Sequence, residues 1–143
     1  MKARVVLSAV AAVVGATVLH AADKTDAQAI QGARMSMTEA IQMAERQGNG
    51  KAIDAKFGAT KEGGQYAIEV LSNDGKKLTE YKLDSSSGRI SAAGNEPFER
   101  VFTRLTPEDL EQAQTSLSRA ISTAERETGG KVVKAETERS GDK

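Results

Sequence analysis

Cysteine and tryptophan are absent from this chain of 143 residues, and its only histidine is His20. Serine–histidine triads, thiol nucleophiles and nearly all zinc sites need an imidazole or a thiol group, so the rest of the chain cannot build them. Carboxylates, hydroxyls and amines remain for catalysis, and no spacing marks two carboxylates as a buried catalytic pair. We therefore expect a protein that is not an enzyme and that carries no cofactor.

The first 21 residues have the pattern of a cleavable export signal. A basic start, an apolar run and small residues follow one another at Lys2, Arg4, residues 5–19, Ala21 and Ala22. Signal peptidase cleaves after small residues, and the run is shorter than the roughly 20 apolar residues of a membrane-spanning helix. The pattern predicts a signal peptide over residues 1–21, cleaved after Ala21 or Ala22, and a periplasmic or secreted product. A membrane anchor is the alternative.

Positive and negative charges are balanced. Lysine and arginine number 20, as do aspartate and glutamate, and loss of Lys2 and Arg4 with the leader moves the formal net charge from zero to −2. A nucleic-acid-binding surface needs a surplus of basic residues to displace the counterions of phosphate groups. The sequence therefore excludes nucleic acid as a partner. Without cysteine, an aliphatic core has to stabilise the exported domain alone.

The first strong helix signal begins at Ser36. Ser36 and Glu39 have the spacing of a capping box, in which each side chain accepts a hydrogen bond from the backbone of the other residue. Apolar residues then recur at helical spacing up to the break at Gly48-Asn49-Gly50. Residues 22–35 are polar and weakly periodic, which predicts a flexible N-terminal arm or a frayed helix.

After this break the apolar residues alternate, as they do in half-buried strands. Strands are predicted near residues 53–60, 66–70, 77–83 and 89–91. Asp74-Gly75 predicts a tight hairpin turn between the second and third strands. The resulting register pairs Val70 with Thr79, Ile68 with Tyr81 and Tyr66 with Leu83 on the core side, and Leu71 with Leu78 and Glu69 with Glu80 on the outer side.

The directly opposed carboxylates of Glu69 and Glu80 repel each other and require a cation nearby. Lys82 and Lys56 are the simplest candidates, because exposed charge ladders are usually solvated. The more specific alternative is that a metal ion or a basic partner compensates the two carboxylates. Residues 84–88 also offer oxygen atoms, but they lack the acidic density of a calcium loop, which favours a plain turn ending in glycine.

A second helix signal begins at Thr106-Pro107 and runs to Gly129-Gly130, which predicts a helix longer than the first. A linker is predicted over residues 93–105. An offset of 80 residues aligns the two helices and the strand that follows each, without a gap, from Ser36 with Ser116 onward. Residues 106–143 are therefore interpreted as a partial second repeat that lacks a hairpin.

A repeat with one strand cannot complete a sheet of its own. We therefore expect residues 132–138 to pair with an edge of the first sheet or with a second chain. The second helix is expected to pack against the first domain.

The order of these motifs resembles the PepSY domain family. The similarity is carried by Ser36-Met37-Thr38-Glu39-Ala40, Gly50-Lys51, Tyr66-Ala67-Ile68-Glu69-Val70, Asp74-Gly75, Tyr81 and the run from Asp84 through Gly88 to Ile90. The resemblance implies an α+β fold, in which one helix packs on a three- to four-stranded antiparallel sheet over residues 36–92. The partial repeat would add the second long helix and one strand.

The resemblance also implies a function, because the family includes parts of thermolysin-like peptidase propeptides and is proposed to bind or inhibit peptidases. It brings no catalytic residues to transfer. We expect a non-catalytic binding module that modulates a peptidase or another envelope protein, with a homodimer through the partial repeat as a further arrangement. The expected partner surface is Glu69, Leu71, Leu78, Glu80 and Lys82. The alternative is an envelope protein that binds a small ligand or cation through its sheet-face carboxylates.

Overall fold

The computed structural model of the chain describes residues 3–8, 24–97, 108, 110 and 116–139. Within these residues, one antiparallel sheet of six strands carries helices on one face. Its elements in chain order are β1 (Ala3–Ser8), α1 (Lys24–Gln31), α2 (Met37–Gly48), β2 (Gly50–Gly58), β3 (Gln65–Ser72), β4 (Lys77–Asp84), β5 (Ile90–Pro97), α3 (Leu117–Thr128) and β6 (Lys134–Arg139). The strand order is β1-β6-β2-β3-β4-β5. The predicted α+β class is confirmed.

Helix α2 begins and ends where the sequence predicts. Ser36 Oγ accepts from Glu39 N at 3.1 Å, and Ser36 N donates to Glu39 Oε2 at 2.8 Å, so both halves of the capping box are present. Asn49 ends the helix in the left-handed conformation. Gly50 follows because a Cβ there would lie 2.0 Å from the Leu71 carbonyl oxygen. The close approach of β2 to β3 therefore begins at a residue without a side chain.

The β3–β4 hairpin has the predicted register on both faces. Val70 pairs with Thr79 and Leu71 pairs with Leu78, and the register continues to Gln65 and Asp84. The turn differs from the predicted two-residue type, because Gly75 (φ 74°) has a positive φ and Asp74 does not. Asp74 instead accepts hydrogen bonds from Ser72 Oγ and Lys76 N. A longer turn therefore gives the same register.

The core lies between the sheet and the helices. α2 contributes Met37, Ala40, Ile41 and Ala44, and the sheet contributes Ala52, Ala55, Phe57, Tyr66, Ile68, Val70, Tyr81, Leu83 and Ala135. The predicted alternation of β2 is wrong at one position. A β-bulge between Ala52 and Asp54 shifts the strand, so Ala52 joins this core while Ile53, also buried, lies outside it.

The described part of the predicted N-terminal arm is a docked helix. Ile30 of α1 is buried in the core, and Asp26 Oδ1 accepts from Ala59 N at 2.8 Å. After the helix, the N–H groups of Arg34 and Met35 both donate to the Ser85 carbonyl oxygen at 3.1 Å. The polar composition predicts a flexible arm or a frayed helix; a helix is present, and Ile30 and these backbone bonds hold the segment against the sheet.

The fourth predicted strand is longer than expected. The sequence predicts a linker from residue 93 onward, whereas β5 pairs with β4 as far as Lys77 and Pro97, with a bulge on the way. Edge strands tolerate glycine, asparagine and proline, since only one side of the strand has to bond. That composition explains why the segment does not have the pattern of a strand. The rest of the linker lies outside the described residues.

The second helix is shorter than predicted. Ser116 has an extended backbone and its Oγ accepts from Arg119 N at 3.2 Å, so α3 begins at Leu117 rather than continuing from Thr106-Pro107. Glu108 and Leu110 are helical, and the residues around them lie outside the described part. α3 packs against α2, and Leu117 and Ile121 enter the core.

β6 completes the sheet beside β2, as expected for residues 132–138. Asp54 pairs with Glu136, Ala55 with Ala135 and Lys56 with Lys134, and Phe57 N donates to the Val133 carbonyl oxygen at 2.8 Å. The other edge of β6 pairs with β1, which lies within the predicted signal peptide. The predicted cleavage site lies outside the described residues.

Candidate interaction surface

The face of the sheet away from the helices carries two rows of charge. The carboxylate row crosses four adjacent strands at Glu136, Asp54, Glu69 and Glu80. The lysine row is two residues away along each strand and therefore on the same face. It consists of Lys134, Lys56 and Lys82, and Ala67 of β3 lies between Lys56 and Lys82. We call these seven charged residues the outer charged face. It contains the predicted pair of Glu69 and Glu80.

Neighbouring lysines compensate the opposed carboxylates. Lys82 Nζ lies 4.0 Å from Glu80 Oε1, and Lys134 Nζ lies 4.0 Å from Glu136 Oε2. Lys82 was one of the cations expected near the carboxylate pair, and the contact confirms it. The side chains of Lys82 and Glu80 are 47% and 32% exposed, so this is a solvated ion pair of little value to stability.

The surroundings of Asp54 in the carboxylate row oppose its negative charge. Its Oδ1 is buried and accepts no hydrogen bond from the described residues. Burial raises the pKa of Asp54, and repulsion from Glu136 raises this pKa further, while Lys134 and Lys56 lower it. The β2 bulge places Asp54 opposite Glu69, so the backbone irregularity extends the row.

Two members of the expected partner surface are not available at the surface. Leu71 is 1% exposed and Leu78 is 6% exposed, although neither belongs to the core beneath the helices. The expectation of an exposed apolar pair is therefore wrong for these residues. Glu80 and Lys82 remain accessible, and Glu69 is partly buried. The accessible part of the predicted surface is polar.

Glu80 and Lys82 also border a shallow depression at the β2–β3 end of this face. Its other lining residues include Lys56, Ala67, Gln65 and Phe57. Its shallow, partly charged lining fits a protein side chain better than a drug-sized ligand, which needs a deeper and more apolar cavity. The sequence did not indicate this depression, because its lining comes from three strands.

Residues 84–88, which offer several oxygen atoms, form a turn, as the sequence predicts. Asp84 Oδ1 accepts from Ser86 N at 2.9 Å, from Ser87 N at 2.7 Å and from Ser87 Oγ at 3.1 Å. These hydrogen bonds, first of all the one from the Ser87 backbone, lower the pKa of Asp84. Its carboxylate is thus satisfied within the turn. Across the residues whose placement is described, no three acidic or histidine side chains are arranged to hold a metal ion.

Residues 34–93 match the PepSY family, described as "Peptidase propeptide and YPEB domain". This segment is a PepSY domain. Its bounds lie close to the predicted residues 36–92, and it spans the motifs from the capping box of α2 to β5. Comparison of the chain with curated proteins and with solved structures gives no match. The family assignment therefore rests on this segment and its fold.

PepSY domains are generally non-catalytic modules like peptidase propeptides, and they commonly bind or regulate peptidases. Proteins that carry them are typically periplasmic or extracellular. In the described ranges, no helix combines the length and apolar character needed to cross a membrane.

Proposed function

We propose that this chain is an exported, non-catalytic PepSY module that binds a peptidase or another envelope protein and modulates its activity. The observation that carries the proposal is the match of residues 34–93 to a family described by peptidase propeptides. The basic, apolar and small-residue pattern of residues 1–21 supports export to the periplasm or the medium. If the chain is exported as proposed, its PepSY segment reaches the compartment in which secreted peptidases act.

The proposed partner surface is the outer charged face around Glu80 and Lys82. Alternating rows of opposite charge distinguish a complementary partner from others and increase the rate of association more than they add raw affinity. The long exposed lysines and the partly exposed acids can form such contacts without moving the backbone. A partner with matching rows would bind in one orientation only.

The second half of the chain is proposed to be a partial PepSY repeat. α2 and α3 each have a serine N-cap, at Ser36 and Ser116, and each ends in a left-handed residue, at Asn49 and Gly129. These positions share the offset of 80 residues found in the sequence. In this interpretation, the strand of the partial repeat extends the sheet of the complete domain.

An inhibition assay tests the proposal. The exported chain would be titrated against a mature thermolysin-like metallopeptidase that lacks its propeptide, with hydrolysis of a short fluorogenic peptide as the readout. We expect dose-dependent inhibition. The double variant Glu80→Lys, Lys82→Glu should weaken it about tenfold, because it reverses the charge pattern at the β4 end of the face, where the proposed surface lies.

The matched control is Lys61→Glu, Glu62→Lys, which makes the same exchange on the exposed β2–β3 turn. This variant should inhibit like the wild type, and both variants should unfold at the wild-type urea concentration. Absence of inhibition and of binding would contradict the proposed function. Equal loss in both double variants would contradict the proposed surface.

The alternative of cation binding is distinguished by thermal unfolding. The observation that favours it is the buried Oδ1 of Asp54, which accepts no hydrogen bond from the part of the chain that the structure describes. A rise in Tm with Ca²⁺ or Mg²⁺ that a chelator reverses would support this function. An unchanged Tm at millimolar cation concentration would contradict cation binding. The carboxylate row would then be a set of solvated charges without a bound ion.

A further inference from the structure

β6 is the strand with which the described part of the predicted leader pairs. One side of β6 bonds to β2, and the other side pairs with β1 along its whole length, from Lys134 opposite Ser8 to Arg139 opposite Ala3. Residues 3–8 lie inside the segment that signal peptidase is proposed to remove. Export would therefore take away the strand that covers this edge.

The backbone groups that export would expose can be assigned by alternation. Phe57 N bonds to the Val133 carbonyl oxygen, so residues 133 and 135 direct their backbone groups toward β2. In an antiparallel ladder, the intervening residues direct theirs to the opposite side. The N–H and C=O groups of Lys134, Glu136 and Glu138 therefore point toward β1. An exposed row of such groups is a template for another strand.

The β6 edge has a defined apolar side. Ala135 is fully buried and Thr137 is 8% exposed, and both lie on the face that α3 covers. The register places Leu7 opposite Ala135 and Val5 opposite Thr137. On the other face, Arg4 is at the position opposite Glu138. A segment that binds here therefore needs apolar residues at the two positions that Val5 and Leu7 occupy in β1. It benefits from a basic residue at the position of Arg4, opposite Glu138.

A second copy of this chain is a poor occupant of the same edge. Because the outward groups belong to even-numbered residues, antiparallel self-pairing matches even with even positions. The register centred on Glu136 opposes it to Glu136 of the second copy, with Lys134 opposite Glu138 on either side, and the next register opposes Glu136 to Glu138 twice. Directly opposed like charges destabilise a strand pair. The centred register also places Thr137, and no larger apolar residue, opposite Ala135, so the edge favours a segment of different sequence.

We propose that the β6 edge of the processed protein is a strand-addition site, which binds an extended, apolar segment of a protein partner antiparallel to β6. In the precursor, β1 fills the same site. Addition of a strand to a sheet edge derives affinity from main-chain hydrogen bonds and specificity from alternate side chains, as required here. The proposal rests on the export proposed above, but it does not require that the partner be a peptidase.

Amide hydrogen exchange of the exported chain tests this site, with a blocked peptide of residues 2–9 as the probe. In the unprocessed chain, the amides of Ala135 and Glu136 should both exchange slowly. In the processed chain, Ala135 should stay protected by its bond to β2, while Glu136 should exchange at least about tenfold faster. Adding the peptide should slow Glu136 again. A mass measurement of the N-terminus shows separately whether processing occurred.

Two substitutions at one position provide the control. Glu136→Pro removes the N–H group that points toward β1 and leaves the bonds to β2 intact, so it should weaken peptide binding about tenfold or more. Glu136→Ala keeps that N–H and should bind within about twofold of the wild type. A peptide with Val5→Asp and Leu7→Asp should not bind, because it would bury two carboxylates against Ala135 and Thr137.

Several results would overturn the proposal. Peptide binding that Glu136→Pro leaves unchanged would place the peptide elsewhere. A Glu136 amide that stays protected in the processed monomer would mean that this chain itself covers the edge. Protection of Glu136 that appears only as the processed chain dimerises would assign the edge to a second copy. Peptidase inhibition can fail without affecting any of these readouts, so the two proposals are tested independently.

Discussion

At the scale of single residues, the environment of Asp54 in the outer charged face opposes the charge of its carboxylate. Asp54 is held at the β2 bulge, with Oδ1 buried and Glu136 opposite. Since the raised pKa means that the fold favours the neutral carboxyl group, the ionised form lowers stability at neutral pH. This unfavourable contribution is absent below the pKa of the unfolded state and grows as pH rises through the raised pKa.

Asp54→Asn should therefore stabilise the protein. The amide stays neutral and occupies the same volume, so we expect the free energy of unfolding at pH 7 to rise by about 1 kcal/mol. Below about pH 4, where wild-type Asp54 is protonated, the gain should disappear. Urea unfolding at several pH values measures this effect. Glu62→Gln on the exposed turn is the control, and a destabilised Asp54→Asn variant would contradict the interpretation.

Tyr66 is the second residue whose protonation is linked to folding. Its hydroxyl donates to the Met35 carbonyl oxygen at 2.6 Å, and its ring packs edge-on against Phe57 with centroids 5.2 Å apart. Burial, with repulsion from Glu125 and Glu39, raises the pKa of Tyr66 to about 12. The neutral phenol thus fixes the end of the N-terminal segment to the centre of the sheet.

The pH dependence of unfolding tests this role of Tyr66. An unfolded tyrosine ionises near pH 10, so stability that is present below about pH 10 should be lost as pH rises toward 12, by on the order of 2 kcal/mol. Tyr66→Phe should remove this additional loss. At pH 7, the same variant should cost about 1 kcal/mol, because it removes the bond to Met35. A Tyr81→Phe variant that also lacks the alkaline loss would contradict the assignment.

At the scale of elements, local rules predicted both ends of α2 and the β3–β4 hairpin. The capping box of α2 and the register of β3 with β4 depend on residues close in sequence, and both are confirmed. The end of β5 and the docking of α1 depend on bonds to distant strands, which a local pattern does not contain. The start of α3 was missed because Thr106-Pro107 has a stronger helix-start pattern than Ser116.

The N-cap of α3 gives a prediction at this scale. Ser116→Ala removes the acceptor for Arg119 N, so the free energy of unfolding should fall by about 1 kcal/mol. Ser122→Ala lies on an exposed position of the same helix and should change it by less than about 0.5 kcal/mol. Urea unfolding of both variants measures the difference. Equal stability of the two variants would mean that α3 does not begin at Leu117.

At the scale of the whole molecule, the candidate site arises from the docking of β6 on β2. The Glu69 and Glu80 pair was predicted from the hairpin alone, and this part of the site is present. The extension to Asp54 and Glu136 could not be predicted, because it needs both the bulge in β2 and the placement of β6. The burial of Leu71 and Leu78 likewise depends on tertiary packing rather than on strand alternation.

We propose that this chain, through its PepSY segment of residues 34–93, modulates a peptidase by binding it and is not cleaved as its substrate. Titration of the mature metallopeptidase with the exported chain, followed by mass spectrometry of the mixture, tests the claim most directly. We predict that activity falls in proportion to added chain and that the chain keeps its mass after incubation. Full peptidase activity at excess chain, or cleavage of the chain without inhibition, would contradict the claim.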